Sequence, residues 1–384
     1  YEADRNRMFV IDLETRRSRE LSTGFDQDAA GATWAPDGRV IYFTSDIKGT
    51  IQIYEMDVNS AAARQITEGV HNYGAFGIAE TESTRSLIAS RVSMSAPADI
   101  YRVNPEDGSG TQLTFANQEI LSRLELGEVR ERWTRTTDGK QLHSWVIYPP
   151  NFDQSQRYPA LLYLKGGPQG PLSQSFSYRW NFQIMAANGY VVVAPNRRGS
   201  SSFGQEWEEE ISGDWGGQAM ADVLSAIDDV ASEPYVDEDR LGAVGASFGG
   251  YATFWLAGNH NGRFKAFIAH DGVFNFESMY GHTEEMFFVN FDYGGPYWKN
   301  LKSYRLYSPH LFVDDWDTPI LIVQGGRDYR VPESESMQAF TAAQLKGIPS
   351  RLLYFPDENH WVLSAQNAIL WQREFFGWLE RWLK

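Results

Sequence analysis

Apolar and polar residues alternate in short runs over the first third of the chain, a pattern typical of antiparallel β-strands joined by turns. Three strands resemble one another, at residues 7–12, 52–57 and 99–104, and each is followed by a turn and a more polar strand. The repeat is about 45 residues long, the length of one four-stranded propeller blade. A small β-sandwich is the alternative interpretation. Because two or three blades cannot close a ring of four to eight, we expect residues 1–127 to be the C-terminal blades of a truncated β-propeller.

The hydrophobic pattern changes after residue 127. Short apolar runs bounded by turn residues now alternate with segments of helical length. This alternation predicts a mostly parallel sheet with helices on both faces, so we expect residues 128–384 to form a doubly wound α/β domain. The predicted strands lie at 142–148, 160–165, 191–196, 241–246, 266–271, 319–325 and 351–355, and predicted helices lie at 219–232, 333–346 and 365–383.

Charge and composition exclude several classes of function. The 384 residues include 50 acidic and 34 basic side chains, a formal net charge of −16 that repels phosphate backbones and anionic membrane surfaces. The absence of cysteine excludes disulfides, thiolate metal sites and a cysteine nucleophile. The sequence has no apolar run near the roughly 18 residues of a membrane span, and no phosphate-binding loop, metal-ligand cluster or dinucleotide motif. We therefore expect no cofactor or metal, no nucleic-acid partner and no membrane insertion.

The strongest chemical signal is Gly-Ala-Ser-Phe-Gly at 245–249, which stands between a predicted strand and a helical stretch. In this context a GxSxG motif is typical of a nucleophile elbow, a sharp turn that holds a serine hydroxyl above the edge of a sheet. Such a turn needs small residues two positions before and two after the serine, and Gly245 and Gly249 meet that need. The motif therefore predicts Ser247 as a nucleophile.

A serine nucleophile needs a base, and the base needs a carboxylate to orient it. Of the seven histidines, only His360 follows the final predicted strand and precedes a closing helix, where this fold carries its base. Asp328, just past the preceding strand, is the expected acid, whereas Asp357 is expected to shape the loop. His270 also ends a strand, but it precedes any strand that bears an acid. The order Ser247, Asp328, His360 is that of the α/β-hydrolases.

The oxyanion produced by such a reaction needs two N–H donors aimed at one point. The amide of Phe248, the residue after the nucleophile, is the first expected donor. The second is expected from the glycine pair after the strand at 160–165, and we favour the amide of Gly167 over that of Gly166. A plain turn is the alternative role for these two glycines.

Several motifs together resemble the prolyl oligopeptidase family of serine peptidases. They are Lys-Gly-Gly-Pro at 165–168, Pro-Asn-Arg-Arg-Gly-Ser at 195–200, Val-Asp-Glu-Asp-Arg-Leu at 236–241, Ser-Phe-Gly-Gly-Tyr at 247–251 and Gly-Arg-Asp-Tyr-Arg-Val-Pro at 326–332. The resemblance implies an α/β-hydrolase catalytic domain preceded by a β-propeller, and Ser247, Asp328 and His360 match the family triad. It differs at Lys165, where one dipeptidyl peptidase of the family has a tyrosine that helps to form the oxyanion hole, so a second backbone amide is expected here.

The resemblance also implies a substrate pocket. The segment 273–280 matches the one that lines the S1 pocket in this family, with Phe276 and Tyr280 as apolar walls and Val331 as a third. Ordinary core packing is the alternative role for these three side chains.

The function implied by the resemblance is that of a serine exopeptidase that releases dipeptides from the free N-terminus of oligopeptides, with a small or hydrophobic P1 residue. An acylaminoacyl peptidase or oligopeptidase of the same family is the alternative, an esterase is less favoured, and a non-catalytic peptide-binding module is least favoured. The implied partners are oligopeptide substrates, and a homodimer is left open. The implied location is the periplasm or the exterior of the cell.

Overall fold

The computed structural model describes residues 1–81 and 84–384, and within these ranges the first third of the chain forms one two-stranded and two four-stranded antiparallel sheets. The strands follow one another as up-and-down meanders, as the alternating pattern predicted. Their bounds are β1 Phe9–Ile11, β2 Ser18–Glu20, β3 Ala30–Trp34, β4 Val40–Ile47, β5 Thr50–Asp57, β6 Ala63–Gln65, β7 Asn72–Glu80, β8 Arg85–Ser93, β9 Ala96–Val103 and β10 Gly110–Gln112.

The two four-stranded sheets pack face to face. Strands β4 and β5 bury side chains on both of their faces. Tyr42 and Ile53 lie in one cluster with Tyr73 and Leu87 of the next sheet. The opposite face carries a separate cluster that includes Phe43 and reaches back to the two-stranded sheet. A strand buried on both sides needs apolar residues at successive positions, and the sequence from 40 to 43 supplies them.

The remainder of the chain is built on an eight-stranded mixed sheet with strand order β11-β12-β14-β13-β15-β16-β17-β18. The first two strands pair antiparallel with their neighbours, and the others pair in parallel. The bounds are β11 Val129–Arg135, β12 Gln141–Ile147, β13 Tyr158–Leu164, β14 Val191–Pro195, β15 Val236–Ala246, β16 Ala266–His270, β17 Ile320–Gly325 and β18 Ser350–Phe355. This is the α/β fold class that the sequence predicted.

Helices cover both faces of this sheet, and two large apolar clusters lie between the sheet and the helices. The helices are α1 Gln118–Leu121, α2 Phe182–Ala187, α3 Gln205–Glu209, α4 Gln218–Ala231, α5 Phe248–Ala257, α6 Phe276–His282, α7 Met286–Asp292, α8 Leu301–Leu306, α9 Glu333–Leu345 and α10 Ala365–Leu383, with a 3-10 helix at Pro309–Asp315. In the part of the chain described here, no helix combines the length and apolar character needed to cross a membrane.

The sequence pattern located the parallel strands well and the edges of the sheet less well. The antiparallel edge strand β11 was not predicted, because its exposed positions carry charged side chains such as Arg130 and Glu131. Strand β15 begins at Val236 rather than 241, since the acidic run that opens it looks like a turn. Helix α5 begins directly after the elbow, at Phe248 rather than 251.

Hydrogen bonds link the antiparallel sheets to the α/β part. The side-chain amide of Asn72 donates to Ser173 Oγ at 3.0 Å, and that of Gln183 donates to Ser95 Oγ at 2.8 Å. The first residues of the chain reach the carboxyl edge of the large sheet, where the Tyr1 ring stacks on Phe291 with centroids 4.1 Å apart. The two parts therefore meet at the edge that bears the predicted elbow.

Candidate active site

Ser247 occupies a strained turn between β15 and α5. Its backbone angles are φ 59° and ψ −122°, a conformation that L-residues rarely adopt. The turn fits only because its neighbours lack side chains: a Cβ at Gly245 would lie 2.6 Å from the Gly249 carbonyl, and one at Gly249 would lie 1.9 Å from the Leu164 oxygen. The Ser247 amide donates to the His270 carbonyl at 2.9 Å, which joins the turn to the next strand. The residues around the serine therefore have the geometry of a nucleophile elbow.

The two other predicted residues lie on loops that leave neighbouring parallel strands. Asp328 follows β17 and His360 follows β18, so both reach the same edge of the sheet as Ser247. Nδ1 of His360 lies 2.6 Å from Oδ2 of Asp328, and both side chains are buried. The other carboxyl oxygen of Asp328 accepts the backbone N–H groups of Arg330 and Val331, each at 2.9 Å. Because the carboxylate takes the Nδ1–H, the neutral imidazole keeps Nε2 free to accept a proton.

A buried glutamate shapes the loop that carries His360. Glu358 accepts the backbone N–H groups of Leu363 and Ser364 and the side-chain amide of Asn367. Burial opposes its ionisation, but these hydrogen bonds outweigh burial and lower the pKa of Glu358 to about 2. Hydrogen bonds to the Glu358 carboxylate therefore tie this loop to the start of α10.

Asp357 and His270, the alternative candidates for the acid and the base, have different surroundings. Asp357 is exposed and pairs with Arg327 at 2.6 Å, so Asp328 and not Asp357 contacts His360. His270 is completely buried, and its Nδ1 accepts the indole N–H of Trp371 at 3.3 Å. Burial lowers the pKa of His270 well below its usual value, and its side chain lies behind the cavity wall rather than on it.

A cavity of about 420 Å³ opens beside Ser247 and His360. Its aromatic walls are Tyr163, Trp180, Phe288 and Trp361. Of these four, Trp361 alone is adjacent in sequence to a predicted catalytic residue, His360. Phe288 lies on α7, in a stretch without clear periodicity, so no pattern in the sequence could have placed it here. A second cavity of similar volume lies in the antiparallel sheets, at His71 and Arg91.

Charged side chains of both signs also line the active-site cavity: Glu2, Lys165, Arg179, Glu285 and Arg330. Arg330 pairs with Glu285 at 2.8 Å and lies over the Trp361 ring. Burial raises the pKa of Glu285 although Arg330 opposes the shift. Charged and aromatic side chains therefore line the same cavity.

The glycine loop after β13 lies directly against the elbow. A Cβ at Gly166 would lie 3.4 Å from the Ser247 Cβ, and Gly167 has a φ of 124° that favours glycine. Arg197 fixes this loop, because its guanidinium donates hydrogen bonds to the backbone carbonyls of Pro168 and Lys165. Gly166, Gly167 and Ser247 line the same cavity, and the amide of Phe248 opens α5 immediately after the serine.

Lys165 stands where one family member has a tyrosine. Its ammonium group donates to the carbonyls of Gly166 at 3.0 Å and Gln169 at 3.3 Å. Burial, assisted by the nearby Arg197 charge, lowers the pKa of Lys165 to about 8. The side chain therefore braces the glycine loop.

The residues predicted for the S1 pocket lie deeper than the cavity surface. Phe276, Tyr280 and Val331 are all buried in the core cluster on this face of the sheet. Phe276 packs against Trp215, with centroids 5.7 Å apart, and Phe288 stacks on the same indole at 5.9 Å. None of the three predicted residues lines the cavity, as far as the described residues define it. Their role in S1 stays a prediction.

One cluster within the described ranges has the arrangement of a metal site. Single ligand atoms of Asp271, Asp328 and His360 lie within 4.8 Å of one another, and all three residues are buried. The atom that His360 contributes to the close pair is Nδ1, which is at hydrogen-bonding distance from Asp328. A hydrogen bond therefore accounts for the contact between Asp328 and His360, and Oδ2 of Asp271 lies 3.9 Å from the same ring nitrogen.

Comparison with known proteins agrees with this geometry. Residues 175–384 match the prolyl oligopeptidase family. The chain is 49% identical to dipeptidyl-peptidase 5 of Porphyromonas gingivalis over 100% of its own length and 56% of the relative. It is 32% identical to dipeptidyl-peptidase 5 of Schizosaccharomyces pombe, again over 100% of this chain and 56% of the relative. The chain thus spans about half the length of the curated relatives it matches.

Solved structures show the same fold. Acylaminoacyl peptidase of Pyrococcus horikoshii superposes with a TM-score of 0.87 at 25% identity, covering 100% of this chain and 60% of the other. Dipeptidyl peptidase 4 of P. gingivalis superposes with a TM-score of 0.81 at 22% identity, covering 98% and 53%. The α/β part, its strained serine turn and the family match over 175–384 lead to one conclusion. The chain belongs to the prolyl oligopeptidase family.

Proposed function

We propose that this chain carries the catalytic part of a serine peptidase that releases dipeptides from the free N-terminus of oligopeptides. Ser247 is the nucleophile, His360 the base and Asp328 the residue that orients the base. The observation that carries the proposal is the 2.6 Å contact between Asp328 and His360 on the cavity that also contains the strained serine. The names of the curated relatives support the dipeptidyl specificity.

In the proposed reaction, Ser247 Oγ attacks the carbonyl carbon of the second peptide bond while its proton passes to Nε2 of His360. The carbon–nitrogen bond breaks as Nε2 gives that proton to the leaving amine, and the dipeptide remains as an ester on Ser247. A water molecule then attacks the ester and gives its proton to Nε2. The bond to Oγ breaks as Oγ regains the proton, which frees the dipeptide and restores the enzyme.

The oxyanion formed in each half-reaction is proposed to accept hydrogen bonds from the backbone N–H groups of Phe248 and Gly167. Two features support this assignment: the start of α5 directs N–H groups toward the serine side, and Arg197 fixes the carbonyls of the glycine loop. Lys165 supports the loop through its carbonyls. In this proposal the second donor is a backbone amide rather than a side-chain hydroxyl.

A small or apolar P1 residue is proposed to pack against the aromatic side chains of the cavity. Phe288 and Trp361 are two of these side chains, and Phe276, Tyr280 and Val331 are proposed to back them as the S1 walls. Glu2 and Glu285 line the same cavity, so a substrate ammonium group has carboxylates within it. The combination of apolar and acidic surfaces supports recognition of a short peptide with a free N-terminus.

We also propose that the two four-stranded sheets are blades of a β-propeller that covers the site and admits only peptides. Their antiparallel order and face-to-face packing support the proposal. A periplasmic or secreted location and a homodimer stay predictions from the family resemblance.

The specificity is tested with the full-length protein and three matched chromogenic reporters: a dipeptidyl reporter with a free amine, an N-acetylated single residue, and a blocked longer peptide. We expect the highest kcat/KM for the free dipeptidyl reporter, and no turnover of it by Ser247→Ala. Faster cleavage of the acetylated residue would make the protein an acylaminoacyl peptidase, the activity in the name of a solved relative. Faster cleavage of the blocked peptide would make it an endo-acting oligopeptidase.

A further inference from the structure

A second carboxyl group lies behind the pair formed by Asp328 and His360, and the proposed mechanism does not use it. Asp271 follows strand β16 and is completely buried. Its Oδ2 lies 3.9 Å from Nδ1 of His360, on the side of the imidazole that faces Asp328. Burying a carboxyl group without cause is costly, so its place beside the base calls for a role.

The surroundings of Asp271 fix its orientation. Oδ1 accepts the backbone N–H of Gly325 at 3.2 Å, and Oδ2 lies 2.9 Å from Nε2 of His270. The backbone N–H of Asp271 donates to the Val323 carbonyl, and its φ of 47° lies in the left-handed region that Asp and Asn tolerate best. Strands β16 and β17 therefore hold the carboxyl group in one place.

The tautomer of His270 follows from its other contact. The indole N–H of Trp371 can only donate, so Nδ1 of His270 must accept it. Burial keeps this histidine neutral by lowering its pKa well below the usual value. The single ring proton is therefore on Nε2, which lies 2.9 Å from Oδ2 of Asp271 without the alignment of a hydrogen bond. A chain of contacts runs from Trp371 through His270 and Asp271 to the base.

We propose that Asp271 is a positioning residue for His360: its carboxyl group, held by the Gly325 N–H beside His270, keeps the imidazole against Asp328 and, when ionised, adds a second negative charge beside the imidazolium. This rests on the proposed serine-peptidase function. The imidazolium exists only while His360 carries the serine proton, so a charge that stabilises it acts on the rate rather than on substrate binding.

Four charged or titratable groups face Asp271. Burial raises its pKa, and the Asp328 carboxylate does so as well, while a protonated His360, the Arg179 guanidinium and the Gly325 N–H lower it. The fourth group is His270, which stays neutral. The Asp271 carboxylate is therefore most favourable when His360 is charged, which is the state that the mechanism needs.

The test measures kcat and KM for the free dipeptidyl reporter between pH 5 and 9 in the full-length protein, normalised to sites titrated with a fluorophosphonate. Asp271→Asn suits the positive φ but carries no charge. We expect the midpoint of the acidic limb to move to lower pH by roughly one unit, and kcat to fall about tenfold while KM changes little. Asp222→Asn is the matched control, since Asp222 is also a completely buried carboxyl group that accepts a backbone N–H. We expect its acidic limb to coincide with that of the wild type.

An unmoved midpoint together with wild-type kcat in Asp271→Asn would overturn the proposal and leave the serine-peptidase function standing. If Asp271→Asn does not fold, His270→Phe replaces it: the ring keeps its packing but loses both nitrogens, and we expect a smaller shift in the same direction. An unmoved midpoint in that variant would also overturn the role of Asp271. Failure of the wild type to react with the fluorophosphonate would overturn both the function and this inference.

Discussion

At the scale of single residues, the chemistry depends on which side chain faces which at the end of three neighbouring strands. Ser247, Asp328 and His360 come from turns that follow β15, β17 and β18. The 2.6 Å contact between Asp328 and His360 selects one aspartate and one ring nitrogen. The assignment of the base can therefore be tested independently of the specificity.

His360→Ala is expected to lower kcat/KM by several orders of magnitude, on the order of 10⁴-fold or more, because triad members act as a unit. Steady-state kinetics with the dipeptidyl reporter measure the loss. His310→Ala is the control, since His310 contacts Ser308 away from the cavity, and it should retain activity. If His270→Ala abolished turnover and His360→Ala did not, the base would be misassigned.

The pH dependence follows from the same assignment. Since a protonated imidazole cannot accept the serine proton, kcat/KM should increase with pH through a midpoint of roughly 6–7, the usual range for a catalytic histidine. A pH–rate profile from pH 5 to 9 measures this limb. A profile that is flat over the whole range would contradict proton transfer to a histidine.

At the scale of secondary-structure elements, the elbow depends on close contact between β13, β15 and α5. A Cβ at Gly249 would lie 1.9 Å from the Leu164 oxygen, which is backbone and cannot move aside alone. Gly249→Ala is therefore expected to lower the free energy of unfolding by about 3 kcal/mol or more and to abolish activity. Urea denaturation followed by fluorescence measures the change.

Gly377→Ala is the matched control for that substitution. Gly377 is an exposed position within α10, and a Cβ there would have no heavy atom within 4 Å. Because alanine favours the helix over glycine, we expect an increase in stability of about 0.5–1 kcal/mol. Equal effects of the two substitutions would contradict the account of the elbow.

The sequence predicted these elements unevenly, for physical reasons. Buried strands such as Val191–Pro195 are continuous apolar runs and are easily recognised. The elbow and the loops after β17 and β18 were predicted because their residues stand at fixed places in the fold. Phe288 and the backing of His360 by Asp271 were not predicted, because both depend on which distant segments meet. The sequence position of a carboxyl group at the end of a strand does not indicate which charged groups it will contact in the fold.

At the scale of the whole molecule, carboxyl groups of the antiparallel sheets and of the α/β part lie close together. Glu208 on α3 is buried near Asp28 and Asp46 of the sheets and near Lys165 of the glycine loop. Burial, with the two neighbouring carboxylates, raises the pKa of Glu208 to about 8. The contact between the two parts is therefore expected to depend on pH.

The sign of that dependence follows from proton linkage. The Glu208 carboxyl group loses its proton near pH 4.5 in the unfolded chain and near pH 8 in the folded protein. The contribution of this group to the free energy of unfolding therefore decreases as pH increases between those values. Between pH 5.5 and 8 we expect the wild type to lose up to about 3 kcal/mol relative to Glu208→Gln. Urea denaturation of both proteins at the two pH values measures the difference. A constant difference would contradict a protonated Glu208 in the folded state.

The central claim is that Ser247 is an activated nucleophile, and covalent labelling tests it most directly. The full-length protein is treated with a fluorophosphonate, and the modified peptide is identified by mass spectrometry beside Ser247→Ala. We predict one modification, on Ser247, that is lost in Ser247→Ala while the melting temperature stays close to that of the wild type. Labelling of another serine, or labelling that persists in Ser247→Ala, would contradict the account.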